Sequence, residues 1–386
     1  MRRDLMKQTD GYILHEIAGI PYLLPHGQLI ADHRRGVQLN ETGVFLWNTL
    51  EHVHNREELL SLFFEHYQAG PDDIPGMEQD FNDFLDQLSS YGIIEEDFSP
   101  FSPDAPFYQY LCIGGLYLEL AGPAEAFSEE FEPFAVSHCS KTDMTVEVCT
   151  GIPANRKNGT LILRSSELLI CDCGDDYLLL FPKAEQIQEA WLAKDSSHVS
   201  FCCLPPFSGN LITDLFHAIR FVYLYLAQRK GLFALHSASI LYQNRAWLFS
   251  GPSGTGKSTH TNLWNRLLQT PVINGDLNLL SLTPDGPVVY GMPWCGTSGI
   301  ADPGTYPLGG IVLLKQAGKD TCISLSEDKK ALLVMQRLIS PSWTKEMLLS
   351  NLSFTETLAK ETRICRFLCT KEPSAVYTIK EWIDRI

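Results

Sequence analysis

The 386-residue chain reads as an α/β protein, α+β overall, on three observations. A strand-like run, Arg245-Ala246-Trp247-Leu248-Phe249-Ser250, leads into a glycine-rich turn, and a segment with Leu263 and Leu267 at helical spacing follows it. Residues 1–98 begin with short alternating apolar runs and continue with helix-like segments. Residues 107–230 carry repeated strand-like runs before one long helix-like stretch. The expected order is therefore a small winged-helix-like N-terminal domain (1–98), a linker (99–106), a β-rich segment (107–230) and an α/β domain built around the glycine-rich turn (231–386).

A net charge of −16 and a pI near 5.1 argue against nucleic acid or an anionic membrane as partner, because both repel an acidic surface. The basic clusters are short, Arg2-Arg3 and His33-Arg34-Arg35, and read as solvated faces. Eleven cysteines without a secretory signal at the start point to a reducing, cytoplasmic setting. Cys171-Asp172-Cys173, Cys202-Cys203 and Cys365/Cys369 lack zinc-site spacing and are expected to be small core residues. The apolar stretch from Leu215 to Ala227 contains His217 and Arg220 and is too short to span a bilayer. A homo-oligomer is left open.

In chain order, Tyr12-Ile13-Leu14 and Ile20 to Leu24 flank Ala18-Gly19, which predicts a hairpin, and Gly36 to Leu39 supplies a third strand. Asn40 is placed to cap a helix carrying Val44, Trp47 and Leu50. A second helix carries Leu59, Leu60, Phe63 and Phe64. A third, from about Gly76, carries Phe81, Phe84, Leu85 and Leu88, and ends at Tyr91-Gly92 before the strand Ile93-Ile94.

The string Gln38-Leu39-Asn40-Glu41-Thr42-Gly43-Val44-Phe45-Leu46-Trp47, with Asp80-Phe81, Phe84-Leu85, Leu88 and Tyr91 to Ile94, resembles the PqqD family over residues 8–96. That resemblance implies a precursor-peptide partner. Its leader segment would add as a strand beside the third strand and pack against the third helix, as an open sheet edge with a neighbouring groove allows. The acidic third helix, with Glu78, Asp80, Asp83 and Asp86, disfavours the alternative of a DNA-binding winged helix.

Ser99 to Pro106 is proline-rich and reads as a semi-stiff linker. Beyond it, Leu111 to Leu120, Thr160 to Arg164, Leu168 to Cys173 and Tyr177 to Phe181 are expected strands, with a turn at Gly174-Asp175-Asp176 and a helix from Leu211 to Arg229. No chemistry is assigned to residues 107–230.

Gly251-Pro252-Ser253-Gly254-Thr255-Gly256-Lys257-Ser258 fits G-x-x-x-x-G-K-[ST] between a strand and a helix, and Thr259 continues it. Successive backbone N–H groups and the helix N-terminus form a cradle for phosphate oxygens. Lys257 would reach the β/γ-phosphates of ATP, and the Ser258 hydroxyl would ligate Mg²⁺. With Leu235-His236-Ser237-Ala238-Ser239-Ile240 upstream and Pro271-Val272-Ile273-Asn274-Gly275-Asp276 downstream, the spacing resembles the HPr kinase and ATP-dependent phosphoenolpyruvate carboxykinase superfamily over residues 231–386. The resemblance implies that Asp276 anchors the metal and that His236 lies by the γ-phosphate. It also exposes a departure: Gly275-Asp276 stands where paired aspartates are usual, so either Asp276 serves both tasks, or the base comes from elsewhere, for example His236 or Asp302 in the turn Asp302-Pro303-Gly304, or transfer is weak. Trp294 and Cys295 are read either as acceptor-site lining or as core.

Together the two halves predict an ATP- and Mg²⁺-dependent kinase that phosphorylates a Ser or Thr hydroxyl of a leader-bearing precursor peptide. A peptide chaperone that binds nucleotide without transfer, and a small-molecule kinase, are the competing readings.

Overall fold

The computed structural model describes residues 5–32, 34–53, 56–70, 73–97, 107–150, 159–184, 186–204, 207 and 209–385. The linker expected at 99–106, and His33 of the basic cluster, lie outside the described residues. The chain is a mixed α/β structure of strands and helices in comparable measure.

The N-terminal domain comprises β1 (Leu5–Gln8), β2 (Tyr12–Ile17), β3 (Ile20–Pro25), α1 (Gln28–Ala31), β4 (Val37–Gln38), α2 (Glu41–Thr49), α3 (Arg56–His66), α4 (Ile74–Ser90) and β5 (Ile94–Asp97). The β2–β3 hairpin turns at Ala18 (φ 53°) and Gly19 (φ 80°), the two left-handed residues that match the twist of paired strands. Asn40 caps α2, its Oδ1 accepting from Gly43 N at 2.8 Å. Gly43 lies close against the Phe84 ring, where a Cβ would stand 3.0 Å away and the ring would have to shift by a few tenths of an ångström. Leu46, Trp47, Leu59, Phe63, Phe81, Leu85 and Leu88 close one core. Two details depart from the sequence reading. The helix expected from Gly76 begins two residues earlier, at Ile74, with Pro75 in its first turn, where a missing N–H costs nothing. The last strand pairs with the unanticipated β1, because Leu5–Gln8 is too short to show a period.

The central unit comprises β6 (Phe107–Ile113), β7 (Leu116–Ala121), β8 (Ala135–Val136), β9 (Met144–Thr150), β10 (Thr160–Arg164), β11 (Leu169–Asp172), β12 (Asp176–Leu180), β13 (Ile187–Ala193), β14 (His198–Cys203) and the helix α5 (Asn210–Arg229). The strands form one nine-stranded sheet in the order β10-β11-β12-β13-β14-β9-β7-β6-β8. The single run expected from Leu111 to Leu120 is two strands, folded back at Gly114 (φ 59°) and Gly115 (φ 78°). Gly174 (φ 87°) turns the chain from β11 to β12 as expected.

The remaining elements are β15 (Leu232–Tyr242), β16 (Arg245–Ser250), α6 (Lys257–Leu268), β17 (Val272–Asn274), β18 (Leu277–Thr283), β19 (Gly286–Tyr290), β20 (Thr305–Gln316), β21 (Thr321–Ser324), α7 (Glu327–Met335), α8 (Lys345–Glu361), β22 (Ile364–Cys369) and α9 (Pro373–Asp384). The long strands β15 and β20 change partners along their length. β15 pairs with β18 through Leu232–His236 and with β16 through Ser237–Tyr242. β20 pairs with β19 near its start and then lies parallel between β16 and β22. The pairing of β16 with β20 closes β16-β15-β18-β19-β20 into a ring, filled by Leu235, Leu248, Leu280, Val289 and Ile311.

Helix α5 joins the two larger sheets. Leu215, Ile219 and Tyr223 share one buried cluster with Val146 and Phe201 of the nine-stranded sheet and with Ala234, Leu277 and Trp294 beyond it. The packing is therefore continuous through residue 231. No helix among the described residues is long and apolar enough to cross a membrane.

Candidate functional site

The glycine-rich segment 251–256 links the C-terminal end of β16 to the start of α6, at the carboxyl ends of the parallel strands β16, β20 and β22. In open α/β sheets that edge is where ligands bind. Gly254 (φ 75°) and Gly256 (φ 103°) occupy the left-handed region and turn the loop toward the helix N-terminus. At Gly251 a Cβ would stand 2.6 Å from Thr255 Oγ1. The Thr255 hydroxyl donates to Pro252 O at 2.7 Å, and the Gln316 amide donates to Gly254 O at 2.9 Å, so both sides of the turn are tied down.

Lys257 is half-buried, and among the described residues its Nζ makes one long hydrogen bond, 3.4 Å to Gly251 O. Burial holds its ammonium below the usual range, Asp276 pulls the other way, and Arg337 adds to the depression. Ser253, Ser258 and Thr259 are exposed along the same rim. Backbone donors, a lysine with one weak contact and an exposed hydroxyl fit a polyphosphate with its Mg²⁺.

Asp276 follows β17 and faces this loop through a buried polar network. Asn274 Oδ1 accepts from the backbone N–H groups of Asp276 and Leu277, both at 2.9 Å, while its Nδ2 donates to Met292 O at 2.9 Å. Asn278 Nδ2 donates to Ser237 O at 2.6 Å, and its Oδ1 accepts from the Ser239 hydroxyl at 2.6 Å. Ser237 N donates to Asp276 O at 2.9 Å. The alternation of β15 turns Ser237 and Ser239 into this network and His236 to the other face.

His236 Nε2 stands 3.1 Å from Asp276 Oδ1. That hydrogen bond holds the Asp276 carboxyl below the usual carboxylate range; burial opposes it, and the charges of His236, Lys257 and Arg220 add to it. Asp276 Oδ2 has no hydrogen bond among the described residues. The described residues contain no cluster of three or more His, Cys, Asp or Glu side chains that could hold a metal alone, so a cation at Asp276 and Ser258 would complete its shell with phosphate oxygens and water.

Gly275 has no room for a second carboxylate. A Cβ there would lie 2.2 Å from Ser298 Oγ, whose hydroxyl donates to Cys295 O at 2.8 Å. Asp302 is taken up by its turn: its Oδ1 accepts from Gly304 N at 2.7 Å and from the Tyr306 hydroxyl at 2.8 Å. Trp294 is buried, its Nε1 donating to Phe216 O at 2.9 Å, which makes it part of the core.

Beside the loop lies a cleft of about 440 Å³ whose charged lining is cationic: Lys315, Arg337 and Arg366, with Gln316 and Gln336. Sequence reasoning missed these residues, which come from β20, β22 and the segment after α7, far from the loop in sequence. Arg337 O accepts from His236 N at 2.9 Å, which fixes that segment against the His236–Asp276 pair.

The N-terminal domain has a site of its own. β4 is the outer strand of the β2-β3-β4 sheet. Next to it a groove of about 540 Å³ runs between α2, α3 and α4, floored by Phe63, Tyr67, Met77 and Phe84 and edged by the exposed Asp80 and Asp83. Thr42 Oγ1 and the Tyr67 hydroxyl, 3.3 Å apart, mark its upper end.

A family model described as coenzyme PQQ synthesis protein D (PqqD) matches residues 28–94, so this part of the chain is a PqqD domain. No curated protein matches the chain.

Proposed function

We propose that the chain is an ATP-dependent peptide kinase: the PqqD domain holds the leader of a ribosomally made precursor, and the glycine-rich loop region transfers the γ-phosphoryl group of ATP to a Ser or Thr hydroxyl of that peptide. The observation that carries this reading is the convergence of Lys257, the 3.1 Å His236–Asp276 pair and the cationic cleft on one phosphate loop, in a chain that also contains a PqqD domain.

The acceptor oxygen attacks the γ-phosphorus as the bond to the β-bridging oxygen breaks. ADP leaves, and the hydroxyl proton passes to Asp276 Oδ2, the carboxylate oxygen that His236 does not hold. Ser258 and Asp276 would hold Mg²⁺, which would supply positive charge against the phosphates. Lys257 and Arg337 supply the fixed positive charge along the transferring group.

At the N-terminal groove, the open edge of β4 suits main-chain pairing, the aromatic floor suits an apolar anchor, and Asp80 and Asp83 favour a leader with basic residues beside that anchor. A second reading, a nucleotide-dependent peptide chaperone without transfer, is favoured by one observation: the closed volume at Gly275 leaves Asp276 as the single carboxylate.

Melting of the full chain tests nucleotide binding. Mg-ATP raises the melting temperature of the wild type and not of Lys257→Ala. Equal shifts in both proteins would remove the loop from the account.

A further inference from the structure

Arg220 lies in the stretch to which the sequence assigned no chemistry. On α5 it follows Phe216 by four residues and precedes Tyr223 by three, so all three share one face of the helix. Trp294 packs on that face, with ring centroids 5.7 Å from Phe216 and 5.4 Å from Tyr223, and is pinned by its bond to Phe216 O. From Trp294 the chain runs directly to Asp276: a Cβ on Gly296 would lie 2.9 Å from Asp276 Cβ, and residues Gly296 to Ile300 are exposed. Arg220 therefore lies on the helix face whose packing partner, Trp294, leads the chain to Asp276, where residues 296–300 leave an open approach.

Its guanidinium is half-buried and, among the described residues, makes no hydrogen bond or ion pair. The two acids whose charges reach it each have a partner of their own at one oxygen. Glu167 is paired with Lys183 at 3.0 Å, and Asp276 with His236. Burial pushes the guanidinium below its usual range, while the charges of Asp276 and Glu167 pull it back. The charges of Lys257 and of Arg220 both reach Asp276.

A guanidinium has a planar fork of donors shaped for a bidentate carboxylate, and holding it half-buried without a partner is costly unless a ligand completes it. We propose that Arg220 binds a carboxylate of the acceptor peptide adjacent to the hydroxyl that receives the phosphate, so that the substrate is a Ser or Thr flanked by an acidic group. This rests on the kinase reading. The carboxylate can come from an Asp or Glu side chain or from the C-terminus of the peptide.

The experiment compares wild type, Arg220→Gln and Arg220→Lys as full chains. The probes are Ac-Gly-Gly-Ser-Asp-Gly-NH₂ against its Asn counterpart, and Ac-Gly-Gly-Gly-Ser with a free against an amidated C-terminus. Melting is read with Mg²⁺ and a non-hydrolysable ATP analogue, and phosphate incorporation is read by mass with Mg-ATP. All three proteins should show the same nucleotide-induced shift. The wild type should prefer one carboxylate probe over its neutral twin by at least about tenfold, Arg220→Gln should lose that preference, and Arg220→Lys should keep part of it. Which pair discriminates identifies the source of the carboxylate. The proposal is overturned if Arg220→Gln loses nucleotide binding instead, or if charged and neutral probes behave alike in the wild type. Carboxylate-dependent binding without any phosphate incorporation would sink the kinase reading and leave the Arg220 site standing.

Discussion

The two functional regions of this chain are built on opposite plans. The groove of the PqqD domain lies among elements contiguous within residues 28–94, and the side chains that line it sit at helical spacing on α2, α3 and α4. The proposed phosphate site is assembled from distant pieces: a loop at 251–258, a strand at His236, a turn at Asp276 and the segment around Arg337, with the proposed Arg220 subsite on a helix apart from them. A local groove can hold a peptide as a separate task. A dispersed site depends on the continuous core around α5 to bring its parts together.

That contrast predicts how each region fails. The largest effect belongs to Lys257→Ala. Phosphate incorporation into the precursor should fall on the order of a thousandfold, because the developing charge loses a fixed cation. Melting without nucleotide should stay unchanged, since the 3.4 Å contact to Gly251 O is the one hydrogen bond of Lys257 Nζ among the described residues.

Next is removal of residues 1–98. Leader binding raises the local concentration of the acceptor without acting selectively on the transition state. KM for the full precursor should rise on the order of a hundredfold, kcat should stay within a few-fold, and KM for a leaderless peptide should not change. Identical kinetics on both peptides before and after truncation would erase the division between the regions.

A smaller effect sharpens the dispersed plan. Gly275→Asp adds a carboxylate where paired acids would stand, but its Cβ meets Ser298 Oγ. Stability should drop by about 1–3 kcal/mol in denaturant melts, and transfer should fall rather than rise. Gly275→Asp combined with Ser298→Gly should recover the stability. Full stability of the single variant would contradict the packing described.

The last effect appears only at acid pH. His260, on the helix that follows the loop, is buried against Phe249 and its pKa is pushed down to about 4, chiefly by burial. Its folded pKa lies below the unfolded value of 6.5, so the unfolded chain takes up the proton first as pH falls. Stability should decline between pH 6.5 and about 4 by on the order of 3 kcal/mol, and His260→Leu should flatten that limb. An unchanged limb in the variant would mean that His260 does not control it.

The sequence showed whatever local spacing encodes. The hairpin at Ala18-Gly19, the Asn40 cap and the strand–loop–helix at 245–268 follow from residues close together in the chain, whereas His236 and Asp276 are singled out by a superfamily resemblance. The remainder depends on tertiary packing. Arg337 and Arg366 carry no local signature, and the missing space at Gly275 exists only because Ser298 folds back onto it. Arg220 looked like an interruption in an apolar helix. Its meaning comes from Trp294, which packs on the same helical face and leads the chain to Asp276.

The most direct test is the intact mass of a candidate leader-bearing precursor peptide that the PqqD domain binds, after incubation with this chain and Mg-ATP. One added phosphate, absent with Lys257→Ala and much reduced when the leader is removed, is the predicted result. A peptide that binds the nucleotide-loaded protein and returns with its mass unchanged would contradict the kinase account and leave the chaperone in its place.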